Sequence, residues 1–181
     1  MKFKSTSIPE VNIISPIVHY DDRGYFFESF KEKIFYKNEL SYKFVQDNEV
    51  KSQKGVLRGL HYQLNYPQGK LVRAVVGTII DVAVDIRKGS PTFGKSVMVK
   101  LSAENKKMLY IPEGFAHGYL VLSEESIVNY KCTNIFDKND EYGIKWDDKK
   151  LNINWNYSSP IISKKDLNLP ILDEQEFLPK Y

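Results

Sequence analysis

Between Lys70 and Cys132 the chain is interrupted, at a spacing of about ten residues, by clusters of turn formers. Gly77, Lys88-Gly89-Ser90-Pro91, Ser102-Ala103-Glu104-Asn105 and Pro112-Glu113-Gly114 each hold residues that impose or accept turn geometry. The segments between them are short, apolar and rich in β-branched side chains. They predict strands over 70–76, 78–86, 95–101, 107–111, 117–122 and 126–133. No helical pattern intervenes, so the expected class is all-β: an antiparallel sandwich or jelly roll with its ligand in the barrel mouth. Within Thr78–Ile86, Ile80, Val82, Val84 and Ile86 share one face while Asp81, Ala83 and Asp85 share the other. That alternation marks a sheet with one drier side.

The flanks are less regular. Pro9 and Pro16 break any helix before Val18, Asp21-Asp22-Arg23-Gly24 is a turn signal, and Tyr25–Phe30 reads as a strand. Ser29 is placed to cap a short helix over 31–40 whose buried side is Phe30, Ile34 and Phe35. Phe44–Val50 reads as a strand carrying amides. After Phe136 the pattern stops: a polar loop at 137–141 and short extended pieces at 144–147 and 152–155 come before Ser163–Asp166, which leads to a loose, Pro-containing tail.

With 181 residues, 42% of them apolar, the chain fits one domain over 1–181 with a packed core. Its net charge of +3 is spread without a basic run, which gives no indication of nucleic-acid binding. Cys132 is the single cysteine, so no internal disulfide forms and its expected role is packing. Met1–Thr6 lacks the apolar run of a signal peptide and no stretch approaches the roughly 20 apolar residues of a membrane span, so a soluble, cytoplasmic protein is expected.

Chemistry-bearing residues concentrate in Gly55–Gln63 and the following Gly69–Arg73. His61 is a base candidate, and Arg58 and Lys70 are fixed cations. Side chains alternate along a strand, so Arg58 and His61 point the same way only if Gly59 bends it. Taken alone, the segment favours the blander reading of an edge-strand histidine beside two solvated cations. His117 alone reads as satisfying a backbone group, and Tyr130 as a core tyrosine with its hydroxyl at the rim. Metal-binding barrels of this type supply paired histidines; His19, His61 and His117 lie far apart, which points to metal-free acid–base chemistry.

Together these segments resemble the dTDP-4-dehydrorhamnose 3,5-epimerase family, cupin-fold epimerases of nucleotide-linked 4-keto-6-deoxy sugars. The resemblance covers nearly the whole chain. It includes Asp22-Arg23-Gly24 with Phe26-Phe27-Glu28, Gln46-Asp47-Asn48, Gly55–Gln63, Gln68–Arg73, Asp81–Arg87, Ser90–Gly94, Leu101–Asn105, Ile111–Gly118, Tyr130-Lys131 and Ser163–Asp166. It implies a cupin jelly roll with a few short peripheral helices, a nucleoside-diphosphate sugar substrate, no metal, no cofactor, no membrane and a homodimer. It further implies that His61, paired with Asp166, is the base and Tyr130 the acid on the opposite face of the sugar. Lys70 and Arg58 would meet the keto oxygen and the substrate, with His117 nearby. Arg23, Phe26 and Glu28 would serve the nucleotide, Arg23 and Glu28 from across the dimer, while Gln46, Asn48, Phe136, Glu141 and Lys165 would complete the pocket.

The chemistry is coherent on its own terms. A C4 ketone lowers the cost of removing the C3 and C5 protons by delocalising charge onto oxygen. Inversion then needs a base on one face and a donor on the other, with fixed cations where the oxyanion forms. The chain departs from the family pattern at Phe136, where thymidine-using members usually carry a tyrosine that stacks on the base, and at Val50, where serine is common. Both departures leave the proton-transfer set intact. They leave open the nucleoside, dTDP or GDP, and whether C3, C5 or both are inverted. A ketoisomerase on the same fold and a non-catalytic sugar-nucleotide-binding cupin are the other readings.

Overall fold

A computed structural model describes residues 1–40 and 43–181. In chain order the strands are β1 (Lys2–Ser5), β2 (Asn12–Ser15), β3 (His19–Asp21), β4 (Gly24–Phe26), β5 (Gln46–Gln53), β6 (Leu57–Gln63), β7 (Lys70–Val76), β8 (Thr78–Asp85), β9 (Ser96–Ser102), β10 (Met108–Ile111), β11 (Phe115–Val121), β12 (Glu125–Cys132) and β13 (Glu141–Gly143). Helix is confined to α1 (Glu32–Lys37), α2 (Lys164–Leu167) and the 3₁₀ turns Lys138–Asp140 and Leu172–Glu174. The strands form a six-stranded sheet, β1-β2-β10-β7-β12-β5, facing a five-stranded sheet, β13-β6-β11-β8-β9; β3 and β4 make a separate hairpin. All strand pairings are antiparallel. The fold is therefore the expected all-β sandwich, and each strand predicted between 70 and 133 is present within two residues of its expected bounds.

The main core lies between the sheets. Val72, Ile79, Ala83, Val99, Leu109, Phe115, Val121 and Val128 meet there, drawn from both walls as alternation requires. Each outer face has its own cover. Phe35 of α1 packs with Ile14, Leu71, Met108 and Tyr110 on the six-stranded sheet, and Leu151, Trp155 and Leu172 pack on the five-stranded sheet against Val82, Val84, Ile86 and Leu120.

Four expectations are corrected here. First, β8 has no wet side: Ile80, Val82, Val84 and Ile86 lie under the C-terminal segment, while Asp81 and Asp85, both fully buried, lie on the interior-facing side with Ala83. Second, that C-terminal segment is no loose tail. Asp148 accepts from the backbone N–H of Lys150, Leu151 and Leu172, and Trp155 Nε1 donates to the Trp146 carbonyl, so its polar groups are satisfied while its apolar ones are buried. Third, α1 is shorter than 31–40, and Lys31, which offers the helix no side-chain capping bond, stands where Ser29 was expected to cap. Fourth, the strand expected over 25–30 shrinks to β4, whose aromatics stand in solvent.

Candidate active site

The strand register decides which side chains look into the sandwich. In the six-stranded sheet, Tyr130 is paired with Asn48 and Val72, and Cys132 with Gln46 and Lys70. Opposite residues share a face, so Lys70, Tyr130, Asn48 and Gln46 point inward together. In the five-stranded sheet, His117 pairs with His61 and Tyr119 with Arg58. Two residues of β11 thus span three of β6, and the extra one is taken up at Gly59. This bulge puts Arg58 and His61 on one face, which regular alternation forbids. Gly59 has φ +115°, and a Cβ there would stand 2.6 Å from both Gly118 Cα and the His117 carbonyl oxygen. Glycine is the residue that permits both the conformation and the approach.

The result is a cavity of about 650 Å³ lined by Gln46, Asn48, Arg58, His61, Lys70, His117, Tyr130, Phe136, Glu141, Lys165 and Asp166, in the size range of small-molecule sites. His61 comes from one sheet and Tyr130 from the other. The structure does not bring Arg23, Phe26 or Glu28 to this cavity. Arg23 is exposed on the β3–β4 hairpin and pairs with Asp21; Glu28 pairs with Lys31.

His61 Nε2 lies 2.8 Å from Asp166 Oδ1, and the Gly59 N–H donates to Asp166 Oδ2. Ser163 caps α2 by accepting from the Asp166 N–H, and this one-turn helix fixes the carboxylate. Burial pushes the Asp166 carboxyl up, but the bonds from His61 and Gly59 outweigh it and hold the group below the usual carboxylate range. On the other side of the ring, Glu141 Oε1 is 3.9 Å from His61 Nδ1, and Lys165 pairs with Glu141 Oε2.

Lys70 is buried, and burial lowers its pKa. Among the described residues neither Lys70 nor Arg58 has an ion-pair partner; Arg58 Nε donates to Ser52. Two cations are thus left free for a ligand. Burial pushes the Tyr130 phenol up to about 12. Among the described residues no group of three or more His, Cys, Asp and Glu side chains is placed to hold a metal ion.

Several contributors were not foreseen. Gln63 donates to the Tyr66 and Ile135 carbonyls and accepts from the Asp137 N–H; with the expected Gln46, which accepts from the Phe136 N–H, it holds the segment that carries Phe136 at the mouth. Tyr119 and Ser52 flank Arg58, and Asp81 accepts from His117. Asp81 was legible as an acid on a β8 face; its meeting with His117 depends on strand order.

Comparison with known proteins agrees with this architecture. The family model for dTDP-4-dehydrorhamnose 3,5-epimerase matches residues 5–174. The chain is 58% identical over 170 residues to a dTDP-4-dehydrorhamnose 3,5-epimerase of Shigella flexneri, covering 93% of this chain and 94% of that one. It is 52% identical to the enzyme of that name from Methanothermobacter thermautotrophicus, covering 96% and 95%. Its fold superposes with a TM-score of 0.97 and 46% identity on dTDP-6-deoxy-D-glucose-3,5-epimerase from Legionella pneumophila Philadelphia 1, solved in complex with dTDP-4-keto-L-rhamnose, covering 99% and 98%. Family model, sequence and fold converge over almost the full length, and the chain belongs to the dTDP-4-dehydrorhamnose 3,5-epimerase family of cupin-fold isomerases.

Proposed function

We propose that the protein epimerises a dTDP-linked 4-keto-6-deoxy sugar at C3 and C5. The observation that carries this is the entry of an imidazole, held by a carboxylate, and a phenol into one cavity from opposite sheets, with Lys70 and Arg58 lining the same cavity without ion-pair partners among the described residues. With Nε2 engaged by Asp166, His61 Nδ1 is the nitrogen that takes the proton from the carbon next to the ketone. Charge moves onto the C4 oxygen, where Lys70 and Arg58 stabilise it as it develops. Tyr130 delivers a proton to the opposite face and recovers one from solvent. A phenol raised to about 12 still serves, because the enolate carbon is a far stronger base. Lys165 and Phe136, both at the rim, meet the diphosphate and the base; Gln46, Asn48, Glu141 and His117 complete the sugar pocket.

The β3–β4 hairpin reaches out with Arg23 and Phe26 exposed, and Glu28 follows it. We read the three as contributions to the nucleotide site of a second copy in a homodimer, whose mass light scattering measures. The buried free thiol of Cys132 suits the reducing cytoplasm.

The test is incubation in D₂O with dTDP-4-keto-6-deoxyglucose. Deuterium at both C3 and C5 with inversion is the expected result. Label at one carbon marks a single-centre enzyme, a displaced carbonyl marks a ketoisomerase, and no label at all overturns the catalytic reading in favour of a binding module.

A further inference from the structure

Resting on that reading, we propose that Asp81 is a positioning residue for the reaction. It holds His117 with its proton on Nε2, so that the bare Nδ1 accepts a hydrogen bond from a hydroxyl of the sugar, and its charge balances the otherwise unpaired ammonium of Lys70.

Asp81 is fully buried on β8, on the interior face, directly across from Tyr119 and diagonal to His117. Its Oδ1 is 2.7 Å from His117 Nε2. A carboxylate is an acceptor, so the proton in that contact belongs to the ring, and a neutral imidazole with its proton on Nε2 has an unprotonated Nδ1. Among the described residues Nδ1 has no hydrogen bond, and the ring lines the cavity. What meets it from a ligand must therefore donate, as a sugar hydroxyl does. Burial lowers the pKa of His117, with Lys70 and His61 adding to the effect and Asp81 opposing it, so the ring stays neutral.

The second oxygen of Asp81, Oδ2, is buried with no hydrogen-bond partner among the described residues. An orphaned acceptor at the core of a site is costly and calls for a reason. The charged groups nearby supply it. Lys70 lines the same cavity as His117, the ring Asp81 holds, and the groups whose charge favours its ammonium against burial are Cys132, Asp81 and Glu141. Glu141 is already engaged by Lys165, and burial raises the Cys132 thiol, leaving it uncharged. Asp81 remains as the counter-charge that keeps the buried Lys70 a cation, free to meet an oxyanion without being neutralised by direct contact.

The test is Asp81→Asn in the full-length protein, assayed on the dTDP-linked 4-keto sugar and on free dTDP. Removing the negative neighbour favours neutral Lys70, so the alkaline limb of kcat/KM should move to lower pH by about one unit, with at least a tenfold loss at its plateau. Affinity for free dTDP, which places no sugar at His117, should not change. A wild-type limb and plateau, or a loss of activity with the limb unmoved, overturns the proposal. A second measurement needs neither folding of the variant nor turnover: ¹⁵N resonances of the histidine rings in the wild-type protein. Neutral His117 with Nε2–H and a bare Nδ1 is expected at neutral pH; a proton on Nδ1 there overturns the assignment. Should the wild-type protein epimerise nothing, the reaction falls while the tautomer is still decided.

Discussion

His61 and Tyr130 divide one proton transfer between two walls, and the division gives them different signatures. In the proposed reaction, His61→Asn removes the base while leaving the cavity's shape, so turnover should fall by at least about 10²-fold with dTDP affinity preserved. Tyr130→Phe keeps the base and removes the donor. Its enolate can then be reprotonated only from the His61 side, and the expected result in D₂O is wash-in of label without inversion, read by mass and by the sugar's proton couplings. Inversion persisting in Tyr130→Phe would remove the phenol from the mechanism. Because burial pushes Tyr130 up to about 12, it keeps its proton throughout the neutral range, and an alkaline limb at lower pH reports another group, for which the buried, depressed Lys70 is the natural source.

At the scale of the element, the bulge in β6 is what turns a strand into a site. Arg58 and His61 sit three apart, and a regular strand would send one of them outward under Trp155 and Ile144, where burying either charge without a partner is costly. Gly59→Ala tests the bulge directly. A Cβ 2.6 Å from Gly118 Cα and the His117 carbonyl oxygen, on backbone at φ +115°, has no flexible neighbour to displace. The expected cost is roughly 2–3 kcal/mol in denaturant unfolding, with activity lost beyond what stability explains, because β6 and β11 must separate. A variant of wild-type stability and activity would show that the bulge does not require glycine at this position. The same element explains a gap in what could be read beforehand: the need for Gly59 to bend the strand follows from residue spacing, whereas its contact with Gly118 needs β11 as a neighbour.

Across the whole molecule, one network ties the ends of the chain to the barrel. Arg87 pairs with Asp85 and Glu10 and lies between the rings of Phe115 and Tyr181, 4.5 and 4.9 Å from their centroids. Lys88 exchanges backbone hydrogen bonds with Pro179 and Tyr181. Burial alone would raise the Asp85 carboxyl, but bonds from Arg87, Ser90 and Thr92 outweigh it and lower the pKa to about 2. A carboxyl lowered on folding stabilises the folded state above its unfolded pKa and loses that contribution as pH falls through the folded value. Asp85 therefore supports the fold at neutral pH by roughly 2 kcal/mol, lost between about pH 4 and pH 2. Asp85→Asn should unfold at lower denaturant at neutral pH and show a flatter acid side; an unchanged pH dependence would place the acid sensitivity elsewhere.

Turn chemistry and period-two alternation are local, so the strands from Lys70 to Cys132, the all-β class and His61 as a base candidate were legible in the amino-acid order, whereas the roles of Tyr130 and Asp166 came from the family resemblance. Local signals name residues without saying which strands become neighbours. Strand order brought Asp81 to His117, gave both faces of β8 a cover, and folded the segment after Phe136 into a lid of apolar side chains over the outer sheet. Capping failed at Ser29 because the chain enters α1 two residues later, with Phe30 turned toward Phe35 and Phe44, a packing preference that outweighs one hydrogen bond. Periodicity is written along the chain, but burial and charge pairing are properties of what lies across from it, and these the tertiary structure alone decided.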